Sequence, residues 1–122
     1  MLPLARATLF LAALDGLMAV AVGAVGAHAV KATATPEQLE FLRTGSIYQM
    51  VHAAGAVALL WLVERDRLSV AAPLALAVGA LLFAGALYSL GLAGVSLGVV
   101  APTGGTLMMI GWAWAMVSAL RR

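Results

Sequence analysis

The stretch VAAPLALAVGALLFAGALYSLGL, Val70–Leu92, runs for 23 residues without one charged side chain. A helix needs about 20 apolar residues to cross the hydrocarbon layer of a bilayer, with about 17–25 tolerated. Three further apolar segments follow: Ala7–Val30 (24 residues, with Asp15 its one charged group), Ser46–Val63 (18) and Gly104–Leu120 (17). Lipid offers no water to free backbone groups, so spans of this length are expected to be helices. A membrane β-barrel would instead show alternating segments of ~10 residues, and none is present. Composition points the same way. Of 122 residues, 64% are hydrophobic and 10% charged, where a soluble domain carries about 25% charged residues. A soluble single domain and a disordered chain are both excluded. The absence of cysteine removes disulfides, thiolate metal sites and thiol nucleophiles. The pI of 9.7 rests on a net charge of +2, too little for a nucleic-acid footprint.

The connections between spans are short, which favours antiparallel neighbours. The expected fold is therefore all-α: a single transmembrane domain over residues 1–122, folded as an up-down-up-down four-helix bundle. Putting both termini and the Glu64–Arg67 connection on one side gathers Arg6, Arg65, Arg67, Arg121 and Arg122 there, and leaves Lys31 and Arg43 on the other. The positive-inside rule then places both termini in the cytoplasm. Ala27-His28-Ala29 has the form of a signal-peptidase site, but the apolar run before it exceeds the usual 7–15-residue core and Asp15 interrupts it. It is read as the end of a retained first span. Thr35-Pro36-Glu37 reads as an N-cap, a proline at the first helical position and an acid in the first turn. A helix starting there can run into the second span, with Gly45 as a bend. The uncharged connection Gly91–Thr103 is expected at the membrane interface or folded back on the bundle. Pro102-Thr103-Gly104-Gly105 reads as a turn that starts the last helix.

Small side chains mark helix contact faces in membranes. The expected packing positions are Gly16, Ala19, Gly23 and Gly26 on the first span, Gly45 and Ala56 on the second, Gly85 on the third, and Gly105 and Gly111 on the last. Polar groups fall on or beside these stripes, because a polar side chain facing lipid would lack a partner. Asp15 is read about a third of the way into the first span. An ionised carboxylate there costs at least ~2.5–3.5 kcal/mol on insertion scales, so it is expected to be neutral or paired across the bundle. His28, Tyr48, Gln49, His52 and Tyr88 form a second candidate cluster at similar depth in the outer half. Two histidines on adjacent helices could ligate haem iron, yet an axial offset of ~6 Å at 1.5 Å per residue separates them. No carboxylate in the outer half completes a metal site. No metal and no cofactor are expected. Trp61 suits the interfacial aromatic belt, whereas Trp112 and Trp114 lie mid-span and point in different directions. The glycines lack phosphate-loop spacing, and neither a nucleophile elbow nor a carboxylate pair is visible, so no enzyme is expected.

Several motifs recur together in order: Gly23-Ala24-Val25-Gly26-Ala27-His28-Ala29-Val30-Lys31, then Tyr48-Gln49-x-x-His52-Ala53, then Phe83-Ala84-Gly85-Ala86-Leu87-Tyr88, then Pro102-Thr103-Gly104-Gly105 and Gly111-Trp112. This order resembles the YgdD-like family of small inner-membrane proteins, a domain of unknown function with animal relatives, over almost the whole chain. The chain departs from that pattern at Ala84 and Ala86, where the family usually has serines, and at Ala101, where it commonly has threonine. Asp15 stands where the family more often has a neutral polar residue. The resemblance implies four spans in a bacterial cytoplasmic (inner) membrane and supplies no activity. The leading expectation is a structural or accessory membrane component acting through helix packing. Its partners are the lipid bilayer and a second copy or a larger membrane complex. The alternative is an oligomeric transporter or proton- or ion-conducting element using Asp15 with His52, Gln49 and Tyr88. Four helices alone scarcely enclose a pore, so that version requires an oligomer.

Overall fold

A computed structural model describes residues 1–121. Among them there is no strand. Four helices are long and apolar enough to cross a membrane. α1 spans Pro3–Ala24 and continues through a widened π-turn, Val25–Ala29. α2 spans Pro36–Val63, α3 Ala71–Ala93 and α4 Val100–Ala119. Pro3, Pro36, Pro73 and Pro102 are the chain's four prolines, and each sits in the first turn of one helix. A first-turn N–H has no intrahelical acceptor, so losing it to proline costs nothing, and the fixed φ favours helix initiation.

The start of the last helix and the path of α2 differ from expectation. The last helix begins at Val100 rather than Gly104, so Pro102-Thr103-Gly104-Gly105 lies inside its first turns and is not a turn before them. α2 runs through Gly45 without interruption, so Gly45 is no bend. A Cβ there would come within 2.8 Å of the Tyr88 ring, and glycine is needed for that contact. At the start of α2 a reciprocal cap forms. Gln38 N–H donates to Thr35 Oγ1 at 3.1 Å, and Thr35 N–H donates to Gln38 Oε1 at 2.9 Å. Such a cap satisfies two donors that a helix start would leave free. α3 ends at Gly94, whose φ of 67° suits a residue without a Cβ. Its N–H reaches Leu90 O, and the Val95 N–H reaches Ser89 O. The uncharged link that follows exposes Val95, Leu97 and Val99 and does not fold back on the bundle.

Contacts across the helices establish the antiparallel order. Ser46 on α2 bonds Ala19 on α1, and Gln49 bonds Asp15. Gly45 and Gly91 bring α2 and α3 together at Tyr88 and Leu42, respectively. Gly104 meets Gly79 and Phe83, while Gly111 meets Leu76 and Ala72. α3 packs against each of the other three helices, and α4 is joined to the rest chiefly through α3. Buried Ala12, Ala56, Leu76 and Ala77 form one core layer, and Leu42, Ala84 and Tyr88 form another. The chain start and the α2–α3 connection share one end of the bundle. There the Met1 amino group lies 4.0 Å from Glu64 Oε2, and a cleft is lined by Arg67 and Arg121. Arg65 stacks over the Trp61 ring at 3.7 Å from its centroid. Arg122 lies outside the described residues.

Between membrane helices the hydrophobic effect is absent, so close approach decides association. At the α3–α4 seam a Cβ on Gly104 would sit 2.5 Å from Phe83 N and 2.6 Å from Gly79 O. Those are backbone atoms that cannot swing aside. At Gly85 a Cβ would meet nothing within 4 Å, so this glycine, expected at a contact, packs against no helix. Gly16 and Gly105 make only loose approaches, 3.9 Å from Ala53 and Phe83. Replacing Gly104 with alanine is expected to destabilise the folded protein by about 1–3 kcal/mol. Gly85→Ala should leave the midpoint unchanged or raise it, since alanine favours helix by up to ~1 kcal/mol over glycine. Thermal unfolding of both variants in one detergent reads the contrast.

Candidate functional site

The polar side chains gather where α1, α2 and α3 meet. Asp15 and Gln49 are fully buried, at 0% exposure, and Tyr88 is 6% exposed. Gln49 Nε2 donates to Asp15 Oδ1 at 2.8 Å, and the Tyr88 hydroxyl donates to Gln49 Oε1 at 2.6 Å. One carboxamide therefore links three helices, giving its donor to α1 and its acceptor to α3. Each helix supplies its member at a position already lined by small side chains. Ala12 and Ala19 flank Asp15 on α1, Gly45 and Ala56 flank Gln49 on α2, and Ala84 flanks Tyr88 on α3; all five are buried. Ser46 Oγ adds a bond to Ala19 O at 2.8 Å, and a Cβ on Gly23 would lie 3.1 Å from that hydroxyl. The polar chain runs in one direction, from Tyr88 through Gln49 to Asp15. Asp15 Oδ2 is the buried side-chain atom without a partner among the described residues.

Asp15 was expected apart from the outer-half cluster, about a third of the way across. The structure brings it into direct contact with Gln49. α1 begins at Pro3 rather than Ala7 and extends to Ala29 through the π-turn. Asp15 is therefore about 18 Å from one end and ~21 Å from the other at 1.5 Å per residue, close to the middle.

The remaining members of the expected cluster separate from this core. Tyr48 and His52 stack with parallel rings, 6.1 Å apart at 5°, and Tyr48 also packs on Phe83 at 5.0 Å. His52 Nδ1 lies 2.7 Å from Tyr48 O. A carbonyl can only accept, so Nδ1 carries the proton of that bond. Trp112 meets His52 edge-on at 5.8 Å and covers Gly55, where a Cβ would fall 2.7 Å from its ring. Trp112 is thus α4's reach to α2, a role not read from the sequence, although His52 and Gly55 at i, i+3 offer one face for such a ring. His28 is exposed in the π-turn. Gly26 beside it faces Leu42, ten residues before His52, which sets the two histidines on levels about 15 Å apart. That exceeds the expected offset of ~6 Å, and two imidazoles so placed cannot share one iron. No group of three or more potential metal ligands occurs among the described residues.

The pattern of a family described as "Protein of unknown function (DUF423)" matches residues 22–105. The chain belongs to this family. It is 36% identical over 120 residues to the inner membrane protein YgdD of Escherichia coli K12, covering 95% of this chain and 91% of that one. The membrane protein YwdK of Bacillus subtilis is 34% identical, covering 93% and 95%. A Haemophilus influenzae membrane protein is 38% identical over 85% and 86%. No solved structure matches. Like YgdD, this DUF423 protein is an inner-membrane protein, with four helices able to cross the membrane; its family carries no established activity, and nothing in the relatives' names points to catalysis.

Gln49 is the keystone of the DUF423 core in this chain. Gln49→Leu would strand both Asp15 and Tyr88, whereas Tyr88→Phe removes one donor only. Each buried group left unpaired costs about 1–3 kcal/mol, so Gln49→Leu is expected to lower stability by at least twice as much as Tyr88→Phe. The double variant should fall short of the sum, because the two share a bond. Unfolding midpoints of the three variants in detergent check this ordering.

Proposed function

We propose that the protein is a non-enzymatic structural or accessory component of the inner membrane, acting as one domain through lateral helix packing, with both termini in the cytoplasm. The observation that carries this reading is the three-helix bridge Asp15–Gln49–Tyr88. Ser46, Gln49, Tyr88 and one oxygen of Asp15 spend their hydrogen bonds between helices and hold them in register, and a rigid polar core is what a packing module requires. Support for lateral contacts comes from the open outer faces. α1 and α4 expose Phe10, Leu17, Val20, Met109 and Met116, while Ala13, Ala21 and Ala24 leave small exposed gaps on α1. Arg6, Arg65, Arg67 and Arg121 at the end bearing the chain start support the cytoplasmic orientation. A second copy or a larger membrane complex is the partner that such faces suit.

A second reading, an oligomeric proton- or ion-conducting element, draws on the free Asp15 Oδ2. Against it stands the middle link. An amide does not readily accept and release a proton, so Tyr88–Gln49–Asp15 joins helices better than it conducts. The two readings separate on Asp15→Asn. Asparagine keeps an acceptor for Gln49 and removes the titratable group. The accessory role expects unchanged proton flux through liposomes reconstituted with either protein, together with lateral cross-links between copies or to another membrane protein from cysteines placed at Leu17 or Met116. Flux above empty liposomes that Asp15→Asn abolishes would reverse the order of the two readings.

A further inference from the structure

We propose that the cleft between α1 and α2 at the Lys31–Arg43 end is a binding site for one anionic phospholipid. The cleft has a volume of about 420 Å³, within the ~300–1,000 Å³ range of small-ligand sites. Its floor is apolar, with Val22, Leu39, Leu42 and Ile47 among the lining side chains. Gly23 and Gly26 line it from α1, and their missing side chains keep it open. A Cβ on Gly26 would make only ordinary contact with Leu42, at 3.5 Å, so the space beyond it is unfilled. Lys31 and Arg43 also line the cleft. Both are exposed, and neither forms a salt bridge among the described residues. No acidic side chain lines it. Glu40, one turn from Arg43, takes a bond from Thr44 Oγ1 instead.

This combination selects its occupant by chemistry. Two unpaired cations at the end of a span, above an apolar trough that opens to lipid, match a phosphate head group with an acyl chain below it. Basic pockets between membrane helices recognise anionic head groups in this way, and arginine adds directed donors to phosphate oxygens. A zwitterionic lipid offers the same chain, but its own ammonium offsets the attraction. The π-turn Val25–Ala29 widens α1 beside the cleft, and such turns recur at functional sites.

The test titrates delipidated protein in mild detergent with phosphatidylglycerol or phosphatidylcholine of matched chains, counting bound lipids by native mass spectrometry. The wild type should hold one phosphatidylglycerol at least ten-fold more tightly than phosphatidylcholine. Lys31→Gln with Arg43→Gln should abolish that preference, and Arg67→Gln at the opposite end should keep it. Gly26→Leu, which fills the trough and retains both cations, should lose the bound lipid of either kind. Helicity and unfolding midpoint report that each variant is folded. An undiminished preference in the Lys31/Arg43 double variant, or none in the wild type, would overturn the proposal. Displacement of the lipid by an equal concentration of glycerol phosphate would also overturn it, since the site would then take a soluble phosphate ester.

Discussion

The hydrogen bond from Gln49 Nε2 to Asp15 Oδ1, 2.8 Å long and wholly buried, is the interaction on which the arrangement of the first three helices depends. In a bilayer neither group has water as an alternative, and apolar side chains gain no hydrophobic free energy by leaving lipid for one another. A slip of α1 along α2 by one residue would part the pair and carry Ser46 away from Ala19 O. The Tyr88 bond extends the same constraint to α3, and Gly45 lets that ring approach the α2 backbone. Register is therefore held by directional bonds, while small residues allow the distance at which those bonds form.

Much of this was legible in the sequence, because the features that decide it are periodic and local. Long apolar runs disclosed four spans, and Thr35-Pro36 marked the start of α2. The stripe that placed Asp15 beside Ala19, and Gln49 beside Gly45 and Ala56, named the contact faces of α1 and α2. Depth was harder to read. Counting from the first uninterrupted apolar residue ignored Pro3, which starts α1 four residues earlier, and so separated Asp15 from a partner at its own level. Pro102 carried the same message for α4, since a proline tolerated in a first turn implies a helix beginning before Gly104. Reading all four prolines as first-turn residues would have placed both starts.

Glycine identity alone could not show which glycines touch. Gly85 and Gly104 look alike in sequence, but one meets nothing within 4 Å and the other lies against the Phe83 and Gly79 backbone. Their difference comes from the rotation of α3 and α4 about their axes. That rotation follows from contacts such as Trp112 over Gly55, which join residues far apart in the chain. The cluster of His28, Tyr48, Gln49, His52 and Tyr88 divided for a related reason. His28 lies on another level, and among the rest similar depth does not mean a shared face: Tyr48 turns outward and His52 packs against Trp112 of α4, while Gln49 turns in toward α1.

α4 is held differently from the other helices, and this bears on how the protein meets its partners. Its hydroxyl Thr106 bonds its own Pro102 carbonyl, and no side-chain hydrogen bond links α4 to another helix among the described residues. Its attachment is van der Waals contact along the Gly79–Gly104 and Leu76–Gly111 seam, with Trp112 reaching over to α2. Dispersion acts over a short range and falls away with a small gap, whereas a buried hydrogen bond also leaves two polar groups stranded in lipid when it breaks. Separation of α4 from the rest therefore breaks no side-chain hydrogen bond, though it uncovers the His52 ring beneath Trp112, while separation of α1 from α2 strands a carboxylate and a carboxamide. By that asymmetry α1–α3 form the part of the fold that resists opening, and α4 is the helix whose packing another apolar surface in the membrane could most readily replace.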